Sequence, residues 1–182
     1  MAEKVADKKE EIIRVIDSEG NWTGKYQTRG YVHSHGLNYN NVCTWIINSK
    51  NKTVLIEHRS PNKEHNHDKW CLPGGHVTGD ETFVTAAKNE VREEVGIRIN
   101  LNKFKFLCVT PPNGNSKSFK YHFYVIRNKS YKFFRIQKEE VAEIRYIKYN
   151  EWKKLVKSDS NKVAAKWGKW EKSFKIMDTI LK

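Results

Sequence analysis

Three glutamates, Glu90, Glu93 and Glu94, stand one helical turn apart, downstream of the pair Gly74-Gly75 in a chain of 182 residues. Residues three and four apart on a helix are neighbours, so these carboxylates crowd one surface. Like charges at that spacing cost roughly 0.2–0.5 kcal/mol per pair unless a cation neutralises them. A solvated acidic helix face is one reading. The other is a hard divalent cation: Mg²⁺ takes oxygen ligands in an octahedron and keeps part of its shell for water and bound phosphates. Glycine backbone ahead of the helix lets a metal or phosphate approach closely. The spacing predicts that all three carboxylates lie on the exposed side of the helix.

Other side chains could serve the same chemistry. Arg59 closes a strand-like run and Lys69 and Trp70 precede the glycines, so Arg59 and Lys69 are candidate phosphate contacts. Trp70 is read either as core packing or as a wall of a substrate site. His33 and His35 read as loop residues, with metal ligation as an alternative, and His65 and His67 as exposed loop residues. Glu139 or Glu140 could reach a metal site from a late loop. The cysteines, Cys43, Cys71 and Cys108, lack metal-site spacing and are expected to be reduced and buried.

The charge is uneven. The net charge is +13, and residues 95–138 carry ten Lys or Arg and no Asp or Glu. Such a basic half suits a polyphosphate held between cations, and direct nucleic-acid binding is the less favoured alternative. A Lys- and Asn-rich background composition would also produce it. No apolar run approaches the ~20 residues of a membrane span. The N-terminal residues lack the apolar stretch of a secretory signal, so a cytoplasmic location is expected.

These residues need elements to position them. Residues 10–30 read as an opening hairpin around the turn DSEG, and residues 41–48 (NVCTWIIN) and 53–58 (TVLIEH) as buried strands. The glutamate-bearing helix is predicted from about Thr82 to Val95. Its apolar stripe is Val84, Ala87, Val91 and Val95, its N-cap Asp80 or Thr82, and its left-handed stop Gly96. Residues 103–109 and 119–127 read as strands around a Pro-Pro turn, residues 137–147 as an acidic turn leading into a strand, and 151–157 as a short helix. Residues 164–181 predict a closing amphipathic helix with Trp167, Trp170, Phe174, Met177 and Leu181 on one stripe. Strands and helices in this order fit one α/β (α+β) domain over residues 1–182, with a mixed sheet between helices.

Residues 75–97, GHVTGDETFVTAAKNEVREEVGI, resemble the Nudix box: G, five residues, E, seven residues, R-E-aliphatic, one residue, E-E, one residue, G-aliphatic. Gly75, Glu81, Glu90, Val91, Glu93, Glu94, Gly96 and Ile97 stand at those spacings, and Asn89 replaces the arginine. The segment ID-SEGN…TRGYVHSHG is similar to the N-terminal extension of Nudix hydrolases related to isopentenyl-diphosphate isomerase. The resemblance implies a Nudix α/β/α sandwich acting as a Mg²⁺-dependent (or Mn²⁺-dependent) hydrolase. It implies as substrate the diphosphate linkage of a nucleoside diphosphate derivative, and as assembly a monomer or homodimer. It implies Gly75, Glu90, Glu93 and Glu94 as metal ligands, Glu90 and Glu93 as catalytic, and Glu81 as a remote ligand through water. Asn89, able to reach Glu93 one turn on, implies weaker or more metal-dependent catalysis than arginine gives. Two alternatives are an isomerase-like enzyme and a non-catalytic nucleotide or RNA binder. The isomerase chemistry calls for a cysteine where Gly74 stands; Cys71 lies three positions earlier.

Overall fold

The computed structural model describes residues 8–113, 116–128 and 134–182. Lys129 and Lys132 of the basic stretch and Gly114 of the Pro-Pro turn lie outside them. Strands β1 (Ile12–Ile16) and β2 (Trp22–Thr28) form the opening hairpin, followed by a short helix α1 (Arg29–Ser34). Residues 29–34 are therefore helical where the sequence reads as loop: Thr28 caps the turn by accepting from the Tyr31 N–H. The central strands are β3 (Tyr39–Asn48) and β4 (Thr53–Arg59), followed by the two-residue β5 (Trp70–Cys71). The glutamate helix α2 (Phe83–Glu90) follows, then β6 (Lys105–Thr110), β7 (Ser118–Ile126), β8 (Val141–Lys148), α3 (Tyr149–Lys157) and α4 (Trp167–Ile180).

Six strands make one mixed sheet in the order β5-β4-β3-β7-β6, with β8 on β4. β3 runs parallel to β7 along nine register positions, yet meets β4 only at Ile47↔Val54 and Asn48↔Thr53. Beyond that point β3 and β4 separate, and the loop of residues 73–77 fills the gap. Thr44 N–H donates to the Pro73 carbonyl, Val42 N–H to Gly75 and Val77 N–H to Asn40, at 2.9, 2.9 and 3.1 Å. A Cβ on Gly74 would lie 2.7 Å from the Cys43 Cα, so only glycine fits this approach. The split sheet thus lets the glycine loop enter between two strands.

Alternation along β3 divides the core. Val42 and Ile46, with Leu55, Ala87, Val91 and Val95, form the layer under α2. Cys43, Trp45 and Ile47, with Trp152, Trp170, Phe174 and Met177, form the layer under α3 and α4. Both predicted apolar stripes are buried this way, apart from the partly exposed Val84 and Trp167 at their N-terminal ends. The result is an α/β/α arrangement with a central mixed sheet.

Candidate active site

Thr82 caps α2 by accepting from the Thr85 N–H, and Gly96 ends the helical run at φ 74°. Between Glu90 and Gly96 the chain is not regular α-helix: Val91–Val95 form a π-turn, a widened turn that recurs at functional sites. The carboxylates do not share the exposed face predicted for them. Only Glu93 is exposed; Glu94 is 3% exposed and Glu90 is half-buried. Glu94 Oε2 accepts the Gly74 N–H at 2.7 Å, which ties helix to loop. Glu90 packs against Gly75 so closely that a Cβ there would lie 2.6 Å from the Glu90 Cδ. The Gly75 carbonyl already accepts from Val42 and keeps a second lone pair.

Charge is concentrated here beyond the predicted trio. Burial, then Glu140, Glu11, Glu93 and Glu57, holds the Glu90 carboxyl above its ordinary range. Burial, Glu57 and Glu90 do the same to Glu94. Glu57, on β4, is fully buried; its Oε1 accepts from Cys71 Sγ at 3.3 Å, and its Oε2 has no partner. A buried carboxylate oxygen without a partner is costly. The donor set is hard oxygen, so the residues fit a hard divalent cation. Among the described residues no three acidic, imidazole or thiol groups already converge on one point. Glu93 instead turns to Arg92 at 2.8 Å, and Glu94 to Gly74.

Around this cluster opens a cleft of about 200 Å³ lined by both signs of charge. It brings together Gly75, Glu90, Glu93, Glu94 and Arg59 from the predicted set, and Glu140 as well. Arg59 Nη2 reaches the His65 carbonyl at 3.4 Å, its Nε is buried without a partner, and Glu94 and Glu57 lie in its field. Lys69 and Trp70 are not brought there. Lys69 accepts the Arg59 N–H through its backbone. Trp70 lies between His58, 4.8 Å away, and the Arg145 guanidinium, 4.0 Å above its ring, against the α3–α4 core. Asn89 does not serve Glu93: its Nδ2 donates to Glu81 Oε1 at 2.6 Å, and the other Glu81 oxygen takes the Thr78 hydroxyl at 2.7 Å.

Arg29, Lys63, His76, Glu11 and Lys120 also line the cleft and escape a reading by spacing. Arg29 lies 3.6 Å from Glu11 and Lys63 3.5 Å from Glu140. The hairpin delivers Glu11 and Arg29 because Gly79 N–H donates to the Ile12 carbonyl, beside the box. His33 Nε2 sits 3.0 Å from His76 Nε2, with Tyr39 stacked on His76; burial and Arg29 push the His76 imidazole well below its ordinary range. His35 stacks on Tyr31 away from the cleft, whereas His65, an exposed loop residue as expected, also lines it. Cys71 also reaches the cleft, but burial and Glu57 push its thiol well above the ordinary range.

A NUDIX domain family model matches residues 38–168, from the start of β3 to the start of α4. The chain belongs to the Nudix family. It is 28% identical over 160 residues to Nudix hydrolase 3 of Arabidopsis thaliana, which is 82% of this chain but only 21% of that protein. It thus spans about a fifth of that relative's length. An uncharacterized Nudix hydrolase of Listeria monocytogenes is 30% identical over 142 residues, covering 73% of this chain and 77% of the relative. Among solved structures, a Deinococcus radiodurans protein superposes with a TM-score of 0.69 at 19% identity, covering 91% of this chain and 99% of that one. That likeness is one of fold and spans most of the chain.

Proposed function

We propose that this Nudix domain is a divalent-metal-dependent hydrolase that cleaves the diphosphate linkage of a nucleoside diphosphate derivative. The observation that carries the reading is the carboxylate cluster of half-buried Glu90 with buried Glu94 and Glu57, all three raised by burial and by neighbouring carboxylates, set against a rim of Arg29, Arg59 and Lys63. Acidic groups draw a cation and basic groups draw phosphate oxygens; a metal-bound diphosphate satisfies both. Glu90, Glu93, Glu94 and the free lone pair of the Gly75 carbonyl would hold Mg²⁺ or Mn²⁺. When bound, the metal supplies charge neutralisation on the diphosphate oxygens and a more acidic water.

The chain's own residues do the rest. Glu90, beside the Gly75 carbonyl and lining the cleft, would accept the proton of the attacking water once a cation offsets the neighbouring carboxylates. Glu93, exposed and paired only with Arg92, is free to swing inward. Arg59 and Lys63 approach the phosphates from the β4 side, and Arg29 from the hairpin side. Removal of one carboxylate would cost several kcal/mol of transition-state stabilisation, on the order of a hundredfold in rate or more. The test is a panel of nucleoside diphosphate derivatives assayed for nucleotide or phosphate release with Mg²⁺. Release that requires metal and is lost in Glu93→Gln and Glu94→Gln supports the reading. Metal-independent RNA binding with no turnover on any compound contradicts it.

A further inference from the structure

The cleft has a second end, on the opposite side of the sheet from the carboxylates. In the parallel register of β3 and β7, Asn41 lies beside Lys120 and Cys43 beside His122, on the face covered by α4. Lys120 lines the cleft together with Asn41, Cys43 and Trp170, and its ammonium stands 5.7 Å from the Trp170 ring centroid. Two residues earlier on the same strand face is Ser118. There Lys169, from the first turn of α4, donates to Ser116 Oγ at 2.7 Å and approaches the Ser118 carbonyl and hydroxyl at 3.4 Å.

Two ammonium groups, one from β7 and one from the first turn of α4, are thus gathered at this place, and among the described residues no carboxylate pairs with either. Residues 95–138 contain no Asp or Glu. Among the described residues neither lysine enters an ion pair; the nearest acid on α4, Glu171, is taken by Lys175 at 3.0 Å. Hydroxyls and a carbonyl supply dipoles to Lys169 but no charge, and its burial, with Lys120 nearby, lowers its pKa to about 8. Two like charges drawn together in a partly buried place are unfavourable unless a third, opposite charge joins them.

We propose that Lys120, supported by Lys169, forms a second anion subsite that takes a further phosphate or carboxylate group on the organic half of the substrate. This inference rests on the diphosphate hydrolase reading above. Lys120 makes the contact, because it lines the cleft; Lys169 acts behind it as a positioning residue. The diphosphate then lies on the α2 side of the glycine loop and the added anion on the α4 side. The preferred substrates are diphosphates whose organic portion carries its own anionic group.

Two commercial pairs test this, because each contains a diphosphate linkage and its members differ by one phosphate: coenzyme A with dephospho-coenzyme A, and NADPH with NADH. Affinities are read by titration calorimetry with Mg²⁺ on the Glu93→Gln protein, and turnover on the unsubstituted protein. A hydrogen-bonded charge contact corresponds to roughly tenfold to a hundredfold in affinity, so at least one phosphate-bearing member should bind that much more tightly than its partner. Lys120→Met should bring the ratio near one, Lys120→Arg should keep it, and Lys169→Met should reduce it several-fold. Equal affinities within both pairs, or a preference that survives Lys120→Met, would overturn the inference. A preference that depends on Lys120 while no compound is hydrolysed would leave the subsite standing and remove the hydrolase reading.

Discussion

The two faces of the sheet bury different kinds of side chain. Under α3 and α4 the core is large and aromatic: Trp45 meets Phe174 edge-on at 5.0 Å, and Tyr149 donates to Asp178 at 2.9 Å. Under α2 the core is mainly aliphatic, with Phe104 and Phe123 among it, and its rim buries Glu57 and Glu94, which share the field of one guanidinium, Arg59. One face holds the domain together, and the other bears a local instability that a ligand can relieve. That contrast separates residues whose loss unfolds the protein from residues whose loss silences it.

The largest effect expected from this contrast is Phe174→Ala. Removing a buried aromatic ring costs about 3–5 kcal/mol, which denaturant unfolding will read; a loss under 1 kcal/mol would mean the α4 face is not the stabilising one. Next is Glu93→Gln. It should lower turnover on the order of a hundredfold while leaving the unfolding midpoint of metal-free protein nearly unchanged, since Glu93 is exposed and its pairing with Arg92 is a surface contact.

The pH dependence follows from the raised carboxyls. Glu57 is pushed up to about 7, chiefly by burial. The folded state therefore binds more protons than the unfolded state between the ordinary carboxylate range and that value, so metal-free stability falls as pH rises through this window. Melting temperatures of metal-free protein should decline from pH 5 to pH 7.5, and Glu57→Gln should flatten the decline. A rise over the same interval would contradict the placement of an unpaired acid on this face. The smallest effect is Asn89→Ala, which removes one hydrogen bond to Glu81 and should cost about 0.5–1.5 kcal/mol with little change in turnover. A collapse of turnover would show that the Asn89–Glu81 bond holds the carboxylates in place.

The same contrast explains what could be read from the sequence. The glutamate spacing, the Thr82 cap, the Gly96 stop and the α4 stripe are local patterns, and local patterns survive in a linear chain. The direction of the carboxylates did not, because the π-turn and the Gly74 N–H that turn Glu94 inward depend on how the loop enters the split sheet. Arg29, Lys63 and Lys120 arrive from the hairpin, the β4–β5 connection and β7, and only strand pairing brings them to one cleft. Glu57 was hidden for another reason: it stands in a run read simply as a buried strand, and nothing local shows that its side chain comes close to Glu94. Trp70, which the sequence left between core packing and a site wall, packs against the α3–α4 core, a choice that closeness to the glycines in sequence could not make.

The most direct test of the account is thermal unfolding at pH 8 of the wild type and Glu94→Gln, each titrated with Mg²⁺. A ligand that binds only the folded state raises stability with its concentration. The wild type should therefore melt progressively higher as Mg²⁺ is added, while Glu94→Gln, no less stable than the wild type without metal, should gain little. A wild type indifferent to both Mg²⁺ and Mn²⁺, or a metal-free Glu94→Gln protein far less stable than the wild type, would contradict the claim that this buried acid is there to hold a cation.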